Sequence, residues 1–296
     1  MKKILIVGGT GFIGYHLAKK LINKNLKVFS LSSRKPKKLR YLKGVKYLVC
    51  DITDKKKLKK IIKNKFEYIV NLSGYVDHAN FKKTFNSHFL GCKNLTEIFL
   101  KNPPIKFVQM GSSSEYGKLK SPHYEFLKCK PVSAYGKAKL LATKHIINLY
   151  YKNKFPSVVL RLYQAYGPKQ DPNRVIPYVI SQCAKNKTFP SSDGKQLRDF
   201  VHVYDVVNAI IKSLNSKNAE GEIINIGSGK AIQIKKIILK IKKKLKKGQP
   251  EFGKLKMRKD ETLKIYPRIS KAKKIINWKP KISFNKGLLQ TITSYN

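Results

Sequence analysis

Short apolar runs alternate with longer segments of mixed character along this chain, most regularly before residue 110. Ile4–Val7, Lys27–Leu31, Val45–Val49, Tyr68–Leu72 and Lys106–Met110 predict strands. Helical spacing separates most of them, as in His16–Ile22, which predicts a parallel sheet with right-handed crossovers. A long helix carries Tyr135 and Lys139 towards Tyr151, and Val158–Leu162 is the next strand. From about residue 165 the pattern loses regularity and gains Pro, Gly, Asp and Asn turns. Ile223–Gly227 reads as a strand returning to the main sheet. Lys235–Lys247 predicts an amphipathic helix with Ile237, Ile238, Ile241 and Leu245 on its apolar face. The class is therefore α/β. A doubly wound parallel sheet covers 1–164 with a returning segment at about 198–228, and a smaller C-terminal α/β domain is built from 165–197 and 229–296.

At 296 residues and 42% hydrophobic content, the chain can bury a full core. No apolar run has membrane-spanning length, and the N-terminus runs directly into the first strand, so no membrane association and a cytoplasmic location are the expectations. Cys50, Cys92, Cys129 and Cys183 lack metal or disulfide spacing, so no metal site is expected. The net charge of +48 raises the question of nucleic acid. The lysines are spread over every predicted helix and loop, which favours a solvated surface that steers anionic substrates instead. Only seven of the 64 basic residues are arginine (Arg34, Arg40, Arg161, Arg174, Arg198, Arg258 and Arg268). Where lysine is the default cation, a retained arginine points to its planar fork and to phosphate.

Three motifs carry chemistry. Gly8, Gly11, Phe12, Ile13 and Gly14 lie between the first strand and a helix start. Bare backbone and a helix N-terminus there form a site for a dinucleotide pyrophosphate. Tyr135 and Lys139, four residues apart, share one helix face. A free phenol titrates near pH ~10, and a fixed cation within about 4–6 Å lowers that value, which suits proton transfer. Between these two motifs lies Ser112-Ser113-Ser114.

Together with Asp51–Asp54, Gly111–Gly117, Arg161–Pro168, Arg198–Val206 and Ile276–Pro280, these motifs make nearly the whole chain resemble the extended short-chain dehydrogenase/reductase family. That family comprises sugar-nucleotide epimerases, dehydratases and reductases on a Rossmann-type fold. The resemblance implies a nucleotide-diphosphate sugar as substrate, bound by the smaller domain. It implies that Tyr135 exchanges a proton with the C4 oxygen while the nicotinamide exchanges hydride at C4. Lys139 holds the ribose and favours the ionised tyrosine, and Ser112, or Ser113 if the loop is one residue shorter, bonds the same sugar oxygen. Asp51 and Ile52 match positions beside the adenine. Gln164, Arg198 and Arg258 match positions on the sugar diphosphate, with Arg174 and Arg268 as weaker candidates, and Asp199 and Asp205 brace the Arg198 segment. Relatives pair as homodimers through two helices, here about 81–101 and 134–151, where Phe85, Phe89, Leu95, Ile98, Leu140, Leu141 and Ile147 serve core or interface.

At the end of the second strand, an NAD-binding chain usually carries an acid on the ribose hydroxyls. Here Ser32 occupies that position and Arg34 follows, so NADP(H) is favoured, with NAD(H) the alternative. Two departures from the family bear on the reaction. The acidic pair that follows the catalytic residue in dehydratases is replaced by Ser113 and Ser114, with Glu115 displaced by one, which argues against a 4,6-dehydratase unless the loop is shifted. The family's helix Asn is replaced by His88, either a surface or core histidine or a substitute polar support. The expected activity is an NADP(H)-dependent 4-ketoreductase acting on a nucleotide-linked 4-keto-6-deoxysugar in surface-polysaccharide synthesis. The alternatives are a 4-epimerase with tightly bound NAD(P) and an inactive member binding nucleotide or RNA.

Overall fold

In the computed structural model, which describes residues 1–75, 80–257 and 261–295, the first strand is buried on both faces. Ile4, Leu5, Ile6 and Val7 are all fully buried. The period of two sends Ile4 and Ile6 into one core and Leu5 and Val7 into another, one on each side of the sheet. Each such side chain contributes about 1.5–3 kcal/mol by leaving water. The strands are β1 (Lys3–Val7), β2 (Lys27–Ser32), β3 (Val45–Val49), β4 (Tyr68–Asn71), β5 (Lys106–Ser112) and β6 (Ser157–Leu162), joined by Ile223–Ile226. All seven pair in parallel, in the order Ile223–Ile226, β6, β5, β4, β1, β2, β3. The order reverses between β1 and β4, which leaves a crevice at their carboxyl ends, the usual ligand position in such sheets.

A second, four-stranded sheet is built around Leu197–His202, flanked by Ala231–Gln233 on one side and Lys264–Ile265 on the other, while Gln164–Tyr166 pairs with the C-terminal half of that strand. Helices Val175–Ala184, Ile234–Leu245 and Phe284–Thr293 enclose its core of Tyr166, Ile180, Phe189, Phe200, Ile237 and Ile241. Residues 198–202, read from sequence as part of the return, thus belong to the second sheet. The return begins with helix Val203–Asn215, whose Val206, Val207 and Ile210 join the main core. The C-terminal segment also comes back: Ala272, Ile276 and Trp278 sit in that core, and Trp278 Nε1 donates to the Asp205 carbonyl at 3.0 Å. Of the residues named for pairing, Leu95 is fully buried and Leu141 is exposed.

The two parts are clasped by the loop after Gly167. Arg40, buried, donates twice to the Lys169 carbonyl (3.2 and 2.6 Å) and pairs with Asp171 at 3.0 Å. In return Lys169 Nζ donates to the Leu39 carbonyl and the Tyr15 hydroxyl, both at 2.9 Å. His16 Nε2 meets the Pro168 carbonyl at 2.8 Å.

Burial pulls the pKa of His16 and of His202 down to about 4, the Pro168 carbonyl working against it at His16. An unfolded chain binds these protons near 6.5 and the folded chain refuses them. Stability is therefore full above 6.5 and falls on acidification, by up to about 1.4 kcal/mol per pH unit for each histidine. Asp199 acts in the opposite sense: burial raises it to about 6, so its contribution is present at low pH and lost as pH rises through 6. Between pH 7.5 and 6 the histidines dominate, and the urea midpoint is expected to fall over that range. His202→Gln should flatten the slope; a midpoint that rises on acidification would contradict the assignment.

Candidate active site

The glycine loop is shaped by close approach. Gly8 has φ +78°, and a Cβ there would lie 2.9 Å from the Leu72 backbone at the end of β4. A Cβ on Gly14 would lie 2.5 Å from the Gly8 carbonyl oxygen and 2.6 Å from the Gly9 Cα. Helix α1 (Phe12–Ile22) starts on Gly11 with no side-chain cap and no acid in its first turn. Its first N–H groups and dipole are left for an anion. Phe12 meets the His16 ring edge-on, and Ile13 packs on the main core.

At the end of β2, Ser32 Oγ accepts from the Thr10 amide at 3.3 Å, and Arg34 follows, exposed. Arg40, in contrast, is committed to the clasp. Asp51 folds onto Thr53, accepting from its amide and hydroxyl at 2.9 Å, while Ile52 is buried. These groups line one rim, and their chemistry fits a nicotinamide dinucleotide: bare amides for pyrophosphate, and hydroxyl and guanidinium groups at the adenosine end.

The helix Ala134–Asn153 places the Tyr/Lys pair. Ser133 caps it, its Oγ accepting from the Gly136 amide at 3.1 Å. A Cβ on Gly136 would lie 2.5 Å from the Ser114 carbonyl oxygen, so a glycine there lets the first turn press against the serine turn. Lys139, 4% exposed, donates from Nζ to the Met110 carbonyl at 2.8 Å and lies 5.9 Å from the Tyr135 ring centroid. Ser112 ends β5 and caps the turn Ser113–Glu115, its Oγ accepting from the Ser114 amide at 3.2 Å. Ser113 is buried in that turn. Tyr135, Lys139 and the Ser112–Ser113 turn are thus brought together at the carboxyl end of β5, one strand from the crevice.

His88 belongs to the same group, which removes the surface reading. It is buried, its Nε2 lies 3.2 Å from the Tyr75 carbonyl, and its ring meets that of Tyr135 edge-on at 4.9 Å. Its helix widens into a π turn over Asn86–Leu90, a distortion common at functional sites. Beneath, Asn71 Nδ2 donates to Gln109 Oε1 at 2.8 Å, a buried amide pair between β4 and β5.

Glu115 does not face a substrate. It is fully buried, its Oε1 accepting from the Ser112 amide and its Oε2 from Arg161 Nε, both at 2.8 Å. Arg161 is therefore structural as well, and nothing local in the sequence joins these two residues. Gln164 is exposed in the strand Gln164–Tyr166, which pairs with the strand of Arg198. Arg198 is buried, forms an ion pair with Glu261, and donates to the carbonyls of Leu197 (3.0 Å) and Leu263 (3.3 Å). Arg258 lies outside the described residues. Asp199 accepts from Ser228 and Lys230, and Asp205 from the amides of Lys281 and Ile282. Both act as braces, holding the 228–230 turn and the C-terminal segment.

A cavity of about 280 Å³ in the smaller domain is lined by Tyr178, Phe189, Pro190, Ile234 and Leu255 among others, and it does not include Ser112, Tyr135 or Lys139. Among the described residues there is no group of three or more His, Cys, Asp or Glu placed to hold a metal ion. No helix among them is long and apolar enough to cross a membrane.

Comparison with known proteins agrees with this fold. A putative UDP-glucose 4-epimerase of Methanocaldococcus jannaschii is 31% identical over 98% of this chain and 97% of its own. The UDP-glucose 4-epimerase of Thermotoga maritima, solved with UDP-glucose, superposes with a TM-score of 0.94 at 25% identity, over 99% of this chain and 98% of that one. The dTDP-glucose 4,6-dehydratase of Bacillus anthracis, solved with NAD, gives 0.90 at 25% identity over 100% and 96%. The sequence profile of the NAD dependent epimerase/dehydratase family matches residues 4–227. The chain belongs to that family, and it is an enzyme of the nucleotide-sugar epimerase and dehydratase kind.

Proposed function

We propose that this enzyme moves a hydride between a nicotinamide dinucleotide and C4 of a nucleotide-linked sugar, and that its net reaction is reduction of a 4-keto group. The observation that carries the C4 chemistry is the placement of Tyr135 and Lys139 against the serine turn at the carboxyl end of β5. When bound, the nicotinamide supplies or accepts the hydride. Tyr135 gives or takes the proton of the C4 oxygen, and Ser112 donates a hydrogen bond to that oxygen as charge develops. Lys139 holds the ribose and the tyrosine. Gln164, Arg198 and Arg258 hold the diphosphate, Arg198 exchanging Glu261 for phosphate. The Phe189 and Tyr178 cavity is mostly apolar and aromatic, with Asn173, Ser191 and Ser192 at its wall, which suits a nucleotide base.

Net reduction is supported by the adenosine end. Ser32 in place of an acid, with the exposed Arg34 beside it, favours NADPH, an exchangeable reductant. Arg34→Ala should weaken NADPH binding by about 1–3 kcal/mol and leave NADH nearly unchanged. Equal wild-type affinity for the two cofactors would remove this part of the reading. The relatives' names favour a second net outcome, 4-epimerisation, in which the hydride returns to the opposite face. Dehydration across C5–C6 is disfavoured because both oxygens of Glu115 are bonded within the fold. The deciding experiment incubates the enzyme with nucleotide 4-keto-6-deoxysugars plus NADPH or NADH, and with nucleotide sugars alone, followed by mass spectrometry and product stereochemistry. Reduced sugar with stoichiometric cofactor consumption supports the proposal. Epimer formed without added reductant would replace it.

A further inference from the structure

We propose that Glu115 is a positioning residue for Ser112, acting through the serine's backbone amide, with Arg161 compensating its buried charge; this rests on the reading of Ser112 as the hydrogen-bond donor to the C4 oxygen. Glu115 and Arg161 are among the most deeply buried charged groups of the chain, 0% and 3% exposed. A buried ion pair is weak evidence of stabilisation, since apolar residues of similar volume are often at least as stable, so its placement calls for another explanation. The two carboxylate oxygens divide the work. Oε2 takes Arg161 Nε at 2.8 Å, and Oε1 takes the Ser112 amide at 2.8 Å. Arg161 is fixed in turn: it stacks on the Tyr116 ring at 4.7 Å and reaches the Glu125 carbonyl at 3.5 Å, while the Tyr116 hydroxyl donates to Asn225 Oδ1 at 2.8 Å. The strand end is also gripped from the other side, where Lys139 donates to the Met110 carbonyl. Gly111 fits the same device, because a Cβ there would lie 2.6 Å from Glu115 Oε1. The glycine before the serine is a seat for the carboxylate. A buried amide that loses its acceptor must find another, and the peptide carrying the Ser112 side chain would rotate.

The test uses two double variants, alone and combined with Ser112→Ala, assayed with the accepted sugar and cofactor. Glu115→Gln/Arg161→Met removes both buried charges but keeps an oxygen for the Ser112 amide, and should retain kcat within about threefold. Glu115→Leu/Arg161→Met removes the oxygen and should lose kcat to the level of Ser112→Ala, on the order of 10²–10³ for a lost oxyanion donor. Cofactor affinity should be unchanged, and Ser112→Ala added to the leucine variant should cost almost nothing more, because both act through one hydroxyl. Gly111→Ala supplies the same readout without touching the charges, and covers the case in which the leucine variant fails to fold. Losses that multiply, or a leucine variant with full kcat beside a crippled Ser112→Ala, would overturn the inference while leaving Ser112 in its role. Full activity in Ser112→Ala would overturn the reading of Ser112 and the inference with it.

Discussion

Tyr135→Phe is expected to lose turnover by about 10³-fold or more while cofactor affinity stays within a few-fold of the wild type. The ring's surroundings survive the change. The helix start is held by the Ser133 cap and by Gly136 against Ser114, and His88 contacts the ring itself at 4.9 Å between centroids. Only the ionisable hydroxyl is removed. A positioned acid–base group contributes about 10²–10⁴-fold, and here no second phenol shares its helix turn to take its place. Steady-state kinetics on the accepted substrate, with cofactor titration by fluorescence, separates the two effects. Near-full activity in the phenylalanine variant would end the mechanistic assignment, whatever the fold.

Lys139→Ala is expected to damage both binding and turnover. Its ammonium is buried, donates to the Met110 carbonyl and lies beside the Tyr135 ring. A hydrogen bond from a charged group contributes about 1.5–3 kcal/mol, so loss of the ribose contact corresponds to roughly 10- to 150-fold in cofactor affinity. Turnover should fall further, because the tyrosine loses its cation and the end of β5 loses one of its two anchors. Lys139→Met preserves packing and should show the same pattern, which separates lost charge from a cavity. Unchanged cofactor affinity in both variants would remove Lys139 from the ribose. The contrast with Tyr135→Phe is the useful result: one variant spares binding and the other does not.

Much of this protein was legible locally. Strand β1, the glycine loop and α1 follow from periodicity and from residues within a few positions of one another, because strand pleat, helix turn and glycine conformation are short-range physics. The Tyr135/Lys139 pair was equally legible, since four residues on a helix fix a shared face. What the sequence could not state was which distant groups meet. Glu115 reads as a displaced acid beside a catalytic serine; its bond to the Ser112 amide is a local capping contact, and its ion pair with Arg161, 46 positions away, is visible only in the fold. Arg198 reads as a phosphate ligand and Arg40 only as one of seven retained arginines; the fold commits Arg40 to Lys169 and Asp171 and pairs Arg198 with Glu261, a partner that a diphosphate would have to displace. His88 reads as a surface or core histidine or as a substitute polar support, and only the fold, with its π turn, sets it against Tyr135. Residues 198–202 read as part of the return to the large sheet, but strand pairing is decided by neighbours far along the chain, and they formed the centre of the second sheet. Sequence determined the elements and the shared helix face of Tyr135 and Lys139; tertiary structure decided how each charge is buried and paired, because burial and pairing depend on contacts that no local pattern encodes.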